Sequence, residues 1–313
     1  MQPSENGTTI SSKSWRDSTR QWWGRVLPSS ASRPRIGLAL GGGFARGIAH
    51  VGVLRVLEQH GIPIHCISGV SAGAMVAAAY ASGASASEIE CVGRSMKFSD
   101  VARWTINRLG LAGSDRMVSF CARMLKANRF EDMRIPLAIV ATDLCSGRPV
   151  VFKDRGEVIT PIRASCSFPG LFLPVRYENR YLIDGFVGME VPTQPLRRMG
   201  ATHVIAVSIP NAKEGIDPTS ILSVIQRCFQ VMSERLQGEW RKHAQLVIEP
   251  DVADVGWDSF ISAQKLIEMG EHAALAALPT IQGWLHQREA GVSVRSASSS
   301  SLALAGRSTL GVG

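Results

Sequence analysis

The part of the 313-residue sequence best suited to covalent chemistry is Gly69-Val70-Ser71-Ala72-Gly73, a serine held between two glycines at the end of an apolar run. Ile62 to Ser68 reads as a short buried strand and Ala72 to Ala81 as a helix of small apolar residues. That order puts Ser71 on a strand-to-helix turn, where its hydroxyl is presented as a nucleophile. Such a turn is strained, and Gly69 and Gly73 relieve crowding where the chain doubles back. A serine hydroxyl is a weak nucleophile until a base takes its proton. The candidate base lies in Tyr181-Leu182-Ile183-Asp184-Gly185-Phe186, where an apolar strand delivers the Asp184 carboxylate to its end and Gly185 lets the chain turn away. A carboxylate is a feeble base in water, so Asp184 must be partly desolvated to act near neutral pH.

A third group could stabilise negative charge. Arg35 to Leu40 reads as a strand, Gly41-Gly42-Gly43-Phe44-Ala45-Arg46-Gly47 as a glycine loop, and Ile48, Val51, Val53, Leu54 and Leu57 recur at helical spacing. A glycine loop that opens a helix exposes unpaired N–H groups beside the positive end of the helix dipole, which suits a phosphate or a developing oxyanion. The dinucleotide fingerprint fails in both registers, because Arg46 or Phe44 stands where glycine is required. The P-loop fails because Ile48 occupies the place of its lysine. A turn kept only for tight packing is the competing reading, against which three consecutive glycines carry a backbone-entropy cost that packing alone seldom justifies.

Taken together, the glycine loop ending in Arg46-Gly47, the serine elbow and the strand-end Asp184-Gly185 resemble the patatin-like phospholipase family, in its bacterial and neuropathy-target-esterase-like branch. Gly47-Ile48-Ala49-His50-Val51-Gly52-Val53-Leu54 is similar to that branch's first helix, and Arg163 to Phe172 to its Ala-Ser segment. The resemblance spans Arg35 to about Asp251. It implies a three-layer α/β/α fold with a mostly parallel central sheet, and a serine lipid acyl hydrolase that needs no cofactor or metal. It further implies roles: Ser71 as nucleophile, Asp184 as proton acceptor, the N–H groups of Gly41, Gly42 and Gly43 as the oxyanion hole, and Arg46 as support for that loop. The sequence departs from the family pattern at Phe186, where glycine or alanine is usual after Asp-Gly, and at Phe44, where a fourth loop glycine is often found. Both put a ring near the site and point to an altered pocket shape.

Two alternatives stay open at this stage. A Ser/Asp/His triad of the α/β-hydrolase type needs a histidine after Asp184, for which His203, His243, His272 and His286 are available. None follows a strand into a glycine-rich loop, the usual place of a triad histidine. His50, early in a helix, reads as structural. The other alternative is a catalytically weak membrane-docking protein on the same fold.

Charge and composition narrow the surroundings. The net charge of +8 comprises +4 in residues 1–36 and +2 in residues 291–313, leaving +2 for the rest. A basic excess confined to tails argues against nucleic-acid binding, which needs a basic folded face. Six cysteines without a C-x-x-C pair read as dispersed thiols of a reducing compartment and argue against zinc. The expected organisation is a basic N-terminal extension over residues 1–34, a catalytic domain over 35–290 and a Ser-rich disordered tail over 291–313. If the extension is helical, Trp15, Trp22 and Trp23 share one face with basic residues on the others, which reads either as an interfacial anchor or as packing onto the parent domain. With no apolar run of membrane-spanning length, the expectation is a cytoplasmic protein whose substrate is a lipid or acyl ester, with peripheral contact at the inner membrane face through that extension.

The remaining elements are expected as follows. Ser85 and Glu88 form a capping box that starts a helix. Strands fall at Leu137–Thr142, Val150–Phe152, Val175–Tyr177, Arg180–Ile183, Val204–Ile209 and Leu246–Ile248. Residues 101–130 read as a helical, apolar insertion that forms a pocket wall, a lid or plain core. Two late helices, Ser262 to Leu278 and Thr280 to Gln287, are separated at Pro279.

Overall fold

Strand β1 (Ile36–Leu40) is wholly buried, and its side chains divide between two cores, which fixes it at the centre of a layered structure. The computed structural model describes residues 33–210, 220–236, 238–256 and 262–304, of which 287–304 by backbone alone. The N-terminal extension with Trp15, Trp22 and Trp23, and residues 305–313, lie outside the described residues. After β1 come α1 (Ala49–Gln59), β2 (Ile64–Gly69), α2 (Ala72–Ala81), α3 (Ala86–Arg94), α4 (Phe98–Val101), β3 (Arg103–Asn107), β4 (Gly110–Gly113) and α5 (Arg116–Met124). The middle of the chain holds β5 (Leu137–Asp143), β6 (Pro149–Lys153), α6 (Ile159–Ser165), β7 (Gly170–Phe172), β8 (Val175–Tyr177) and β9 (Arg180–Asp184). Then follow α7 (Thr193–Arg198), β10 (His203–Val207), α8 (Ile221–Leu236), α9 (Gly238–Arg241), β11 (Leu246–Ile248) and α10 (Ala263–Leu304).

The main sheet has the order β11-β10-β1-β2-β5-β9-β8, with β6 also paired to β5. The run β11 to β5 is parallel, and β6, β9 and β8 are joined in antiparallel fashion. Alternation along the central strands explains the layers. Leu38, Leu40, Ile67, Ile205 and Val207 join the core beneath α1, α2 and α10, while Ala39, Cys66, Val204 and Ala206 meet Leu196 of α7 and Trp240 of α9 on the other face. Helices therefore cover both faces of a mostly parallel sheet, the three-layer α/β/α architecture expected from the sequence. The capping box also forms: Ser85 accepts from the Glu88 N–H, and Glu88 accepts from the Ser85 N–H.

Two expectations need correction. Residues 101–130 are not helical throughout. Their first part is the β3–β4 hairpin, whose turn is set by Asn107 accepting from the Leu109 N–H at 2.9 Å. β4 then pairs parallel to β7, with Gly110 opposite Gly170 and Ala112 opposite Phe172, and the two-residue spacing of Trp104/Ile106 and Leu109/Leu111 fits these strands. Second, the break at Pro279 does not occur, and α10 is continuous through it. Proline frees the carbonyl four residues earlier, here that of Leu275, a residue half exposed, so water can meet the freed group. α10 itself runs to Leu304. Extending an existing helix adds one hydrogen bond per residue without a new nucleation step.

Candidate active site

Ser71 follows the C-terminal end of β2 and stands immediately before α2 with φ 55° and ψ −127°, a backbone conformation strained for a residue with a side chain. Packing holds the strain in place. A Cβ at Gly69 would overlap the Gly73 carbonyl, and one at Gly73 would overlap the carbonyls of Leu40 and Gly41, so the elbow closes only with glycine at both positions. The Ser71 N–H donates to Ser165 Oγ at 2.8 Å, and that hydroxyl donates to the Val140 carbonyl at 2.6 Å. Ser165 thereby ties the elbow to β5. It was visible in the sequence only as part of the Ala-Ser segment, with no role attached.

Asp184 ends β9, which pairs with β5 so that Ala141 faces Asp184. β2, β5 and β9 are consecutive in the sheet, and this adjacency brings Ser71 and Asp184 together across 113 residues of sequence. Ser71 Oγ donates to Asp184 Oδ2 at 2.7 Å, and the Phe186 N–H donates to Oδ1 at 2.9 Å. Thr142 Oγ1 donates to the Asp184 carbonyl at 2.9 Å and fixes the strand end. Asp184 is only 1% exposed. Burial pushes its carboxyl up to about 7, and the two donated hydrogen bonds offset part of that rise. The desolvation demanded of a carboxylate base is therefore present.

The glycine loop differs in one respect from expectation. The Gly41 N–H is engaged with the Val207 carbonyl at 3.0 Å, and the Gly41 carbonyl is bonded to His50 Nε2 at 2.9 Å. Gly41 is thus held by β10 and α1. The N–H groups of Gly42 and Gly43 carry no hydrogen bond among the described residues, and both glycines line the cleft with Ser71 and Asp184. His50 is fully buried, and desolvation lowers its imidazole to about 4, so it is neutral and donates from Nε2.

Arg46 lines the same cleft and is only 4% exposed, with its Nε and Nη1 unpartnered among the described residues. Burial lowers its guanidinium from the usual value. A buried cation without partners is costly, and negative charge developing in the cleft that it lines would offset part of that cost. Phe168, Phe186, Ile209, Gln226, Phe229 and Gln230 complete the lining of a cavity of about 600 Å³, open mouth included. Gln226, Phe229 and Gln230 come from α8, which sequence reasoning did not connect to the site. The ring of Phe186 stands against Gly42 and also borders a larger cavity of about 1050 Å³ that lacks Ser71 and Asp184. Phe44, at φ 50°, borders both the cleft and an apolar pocket of about 570 Å³, open mouth included, that reaches Met75, Ile89, Phe120 and Met124.

The four histidines available for a triad stand elsewhere. His203 begins β10, at the end of the parallel strands opposite to Ser71, and its ring lies 4.8 Å from that of Trp284. His243 borders the larger cavity. None of the described hydrogen bonds joins His203, His243, His272 or His286 to Ser71 or Asp184. Among the described residues there is also no group of three or more His, Cys, Asp or Glu placed to hold a metal ion, and no helix long and apolar enough to cross a membrane. Cys66, Cys121 and Cys166 are buried free thiols, and Cys91, Cys145 and Cys228 are exposed ones.

A strained serine at a strand-to-helix elbow, a buried carboxylate on its hydroxyl and a glycine loop beside both, on a sheet covered by helices, define a patatin-type fold. Residues 38–197, just over half of the chain, match the family model for patatin-like phospholipase, and the chain belongs to that family. It is 34% identical over 188 residues to an uncharacterized NTE family protein of Mycobacterium tuberculosis, covering 59% of this chain and 52% of that one. It is 34% identical over 194 residues to lysophospholipase NTE1 of Cryptococcus neoformans, covering 59% of this chain and 12% of that one. The chain thus spans about half the length, or less, of these relatives. Among solved structures, VipD from Legionella pneumophila shares the fold, with a TM-score of 0.55 at 12% identity over 80% of this chain and 68% of that one.

Proposed function

We propose that the protein is a serine lipid acyl hydrolase that cleaves carboxylic esters through Ser71 and Asp184. The observation that carries this reading is the 2.7 Å hydrogen bond from Ser71 Oγ to a carboxylate that burial has made basic near neutral pH. Ser71 Oγ attacks the ester carbonyl carbon while its proton passes to Asp184 Oδ2. The oxyanion is met by the Gly42 and Gly43 N–H groups, with the buried, unpartnered Arg46 guanidinium lining the same cleft. Collapse breaks the ester C–O bond, and the departing alcohol takes the proton from Asp184. Water then gives a proton to Asp184 and attacks the acyl-serine, which releases the fatty acid and restores both groups.

Membership in the patatin-like phospholipase family supports a lipid substrate, as does likeness to a lysophospholipase. The apolar pocket beyond Phe44 suits an acyl chain, since it begins beside the elbow and is walled by Ile48, Val51, Met75, Val76 and Met124. A fluorophosphonate tests the reading, with the adduct mapped by mass spectrometry. It should label Ser71 in the wild type, fail in Ser71→Ala and react far more slowly in Asp184→Asn. A folded wild-type protein that takes no label, and turns over neither phospholipid nor short-chain ester, would favour a non-catalytic membrane-docking role on this fold.

A further inference from the structure

The β3–β4 hairpin exposes large apolar side chains to an unusual degree. Ile106 is 107% exposed, Trp104 65%, Leu109 60% and Leu111 50%. Four such residues fall within eight consecutive positions, whereas exposed apolar residues on soluble proteins are normally scattered. The hairpin also carries charge of one sign. Arg103 and Arg108 are exposed and have no ion-pair partner among the described residues, and no acidic residue lies between them or in β4. The nearest acids are occupied: Asp100 accepts from the Lys97 N–H, and Asp115 pairs with Arg163.

From these residues we infer that the β3–β4 hairpin docks the protein on an anionic lipid bilayer. Tryptophan favours the headgroup boundary, isoleucine and leucine favour the acyl region, and unpaired arginines are drawn to anionic headgroups. A protein partner fits less well. A stable protein interface takes about 20–30 residues a side, and the apolar patch here occupies one hairpin. The hairpin is also coupled to the cleft. The Trp104 ring lies 5.3 Å from that of Phe98, which lies 6.4 Å from Phe44, and Phe44 borders both the cleft and the apolar pocket. Docking through Trp104 therefore brings the bilayer within two ring contacts of the site. The docking itself does not depend on the hydrolase reading, although its benefit to the reaction does.

Co-sedimentation of the full chain with phosphatidylcholine vesicles, with and without about 30 mol% phosphatidylglycerol, tests the inference. Wild type should partition onto the anionic vesicles and less onto the neutral ones, and added salt should weaken the binding. Ile106→Asp should lower the partition coefficient by more than about tenfold. Arg103→Gln and Arg108→Gln should each lower it about fivefold on anionic vesicles only. All three positions are exposed, so melting temperatures should stay at the wild-type value. Variants that bind as tightly as wild type would overturn the inference, and would place any binding elsewhere in the chain. So would light scattering that shows Ile106→Asp converting a dimer to a monomer. Hydrolysis of a soluble short-chain ester should be equal in wild type and variants. If no form hydrolyses it while vesicle binding still falls in the variants, the docking surface stands and the hydrolase reading fails.

Discussion

Replacing Asp184 by asparagine removes the proposed base while keeping a side chain of the same shape beside Ser71. In the wild type the carboxyl titrates at about 7, so its basic form rises from about one part in eleven at pH 6 to about ten in eleven at pH 8. Because kcat/KM follows the ionised fraction of the free enzyme, it should climb about tenfold across that interval, with a single ionisation at its midpoint. Asp184→Asn should lower kcat/KM by about 10²–10⁴ and abolish the climb, leaving a residual rate from the glycine loop and binding alone. Stability supplies an independent reading. A carboxyl whose value is raised on folding stabilises the protein below its ordinary range near 3.8, and that contribution is lost as pH rises through about 7. Melting temperatures of wild type relative to Asp184→Asn should accordingly fall between pH 5 and pH 8. The assay is initial-rate hydrolysis of a short-chain nitrophenyl ester from pH 5 to 9, with melts recorded in the same buffers. A climb that persists unchanged in Asp184→Asn, with its midpoint still near 7, would refute the assignment, because the titrating base would then be another group.

Arg46→Met should reduce kcat/KM about 10–100-fold while leaving the melting temperature equal or higher, since it removes a buried cation without partners; differential scanning calorimetry beside the ester assay checks both. Met75→Trp, which fills the apolar pocket beyond the elbow, should cut turnover of long-chain lysophospholipid while sparing a butyrate ester, as a chain-length series would reveal. His203→Ala and His243→Ala should retain turnover within about twofold, and a loss above about 100-fold in either would revive the triad.

The elbow was legible because its demands are local: Gly69 and Gly73 are needed for close approach of neighbouring backbone, and that need is written in five consecutive residues. The strands were legible for a related reason, since Leu137 to Ala141 and Val204 to Val207 are apolar on both faces and can lie only inside a covered sheet. What escaped sequence reasoning depends on partners distant in the chain. Gly41 could not be separated from Gly42 and Gly43, because only its pairing to Val207 of β10 engages its N–H. Gln226, Phe229 and Gln230 reach the cleft through tertiary placement of α8. The β3–β4 hairpin reads together with the helical run Met117, Phe120 and Met124 that follows it, although Trp104 and Ile106, and Leu109 and Leu111, are spaced two apart as in a strand and face solvent.

Because Ser71 and Asp184 meet across three neighbouring strands, their separation is a property of sheet register and not of the chain that runs between them. A one-residue deletion within β5 would slide its partners by about 3.3 Å, more than a hydrogen bond can stretch. Insertions at the β5–β6 turn, where Gly147 has open space around it, would leave the pair untouched. The contact between Ser71 and Asp184 is thereby set by strand pairing, and length changes confined to surface turns such as the one between β5 and β6 leave it in place.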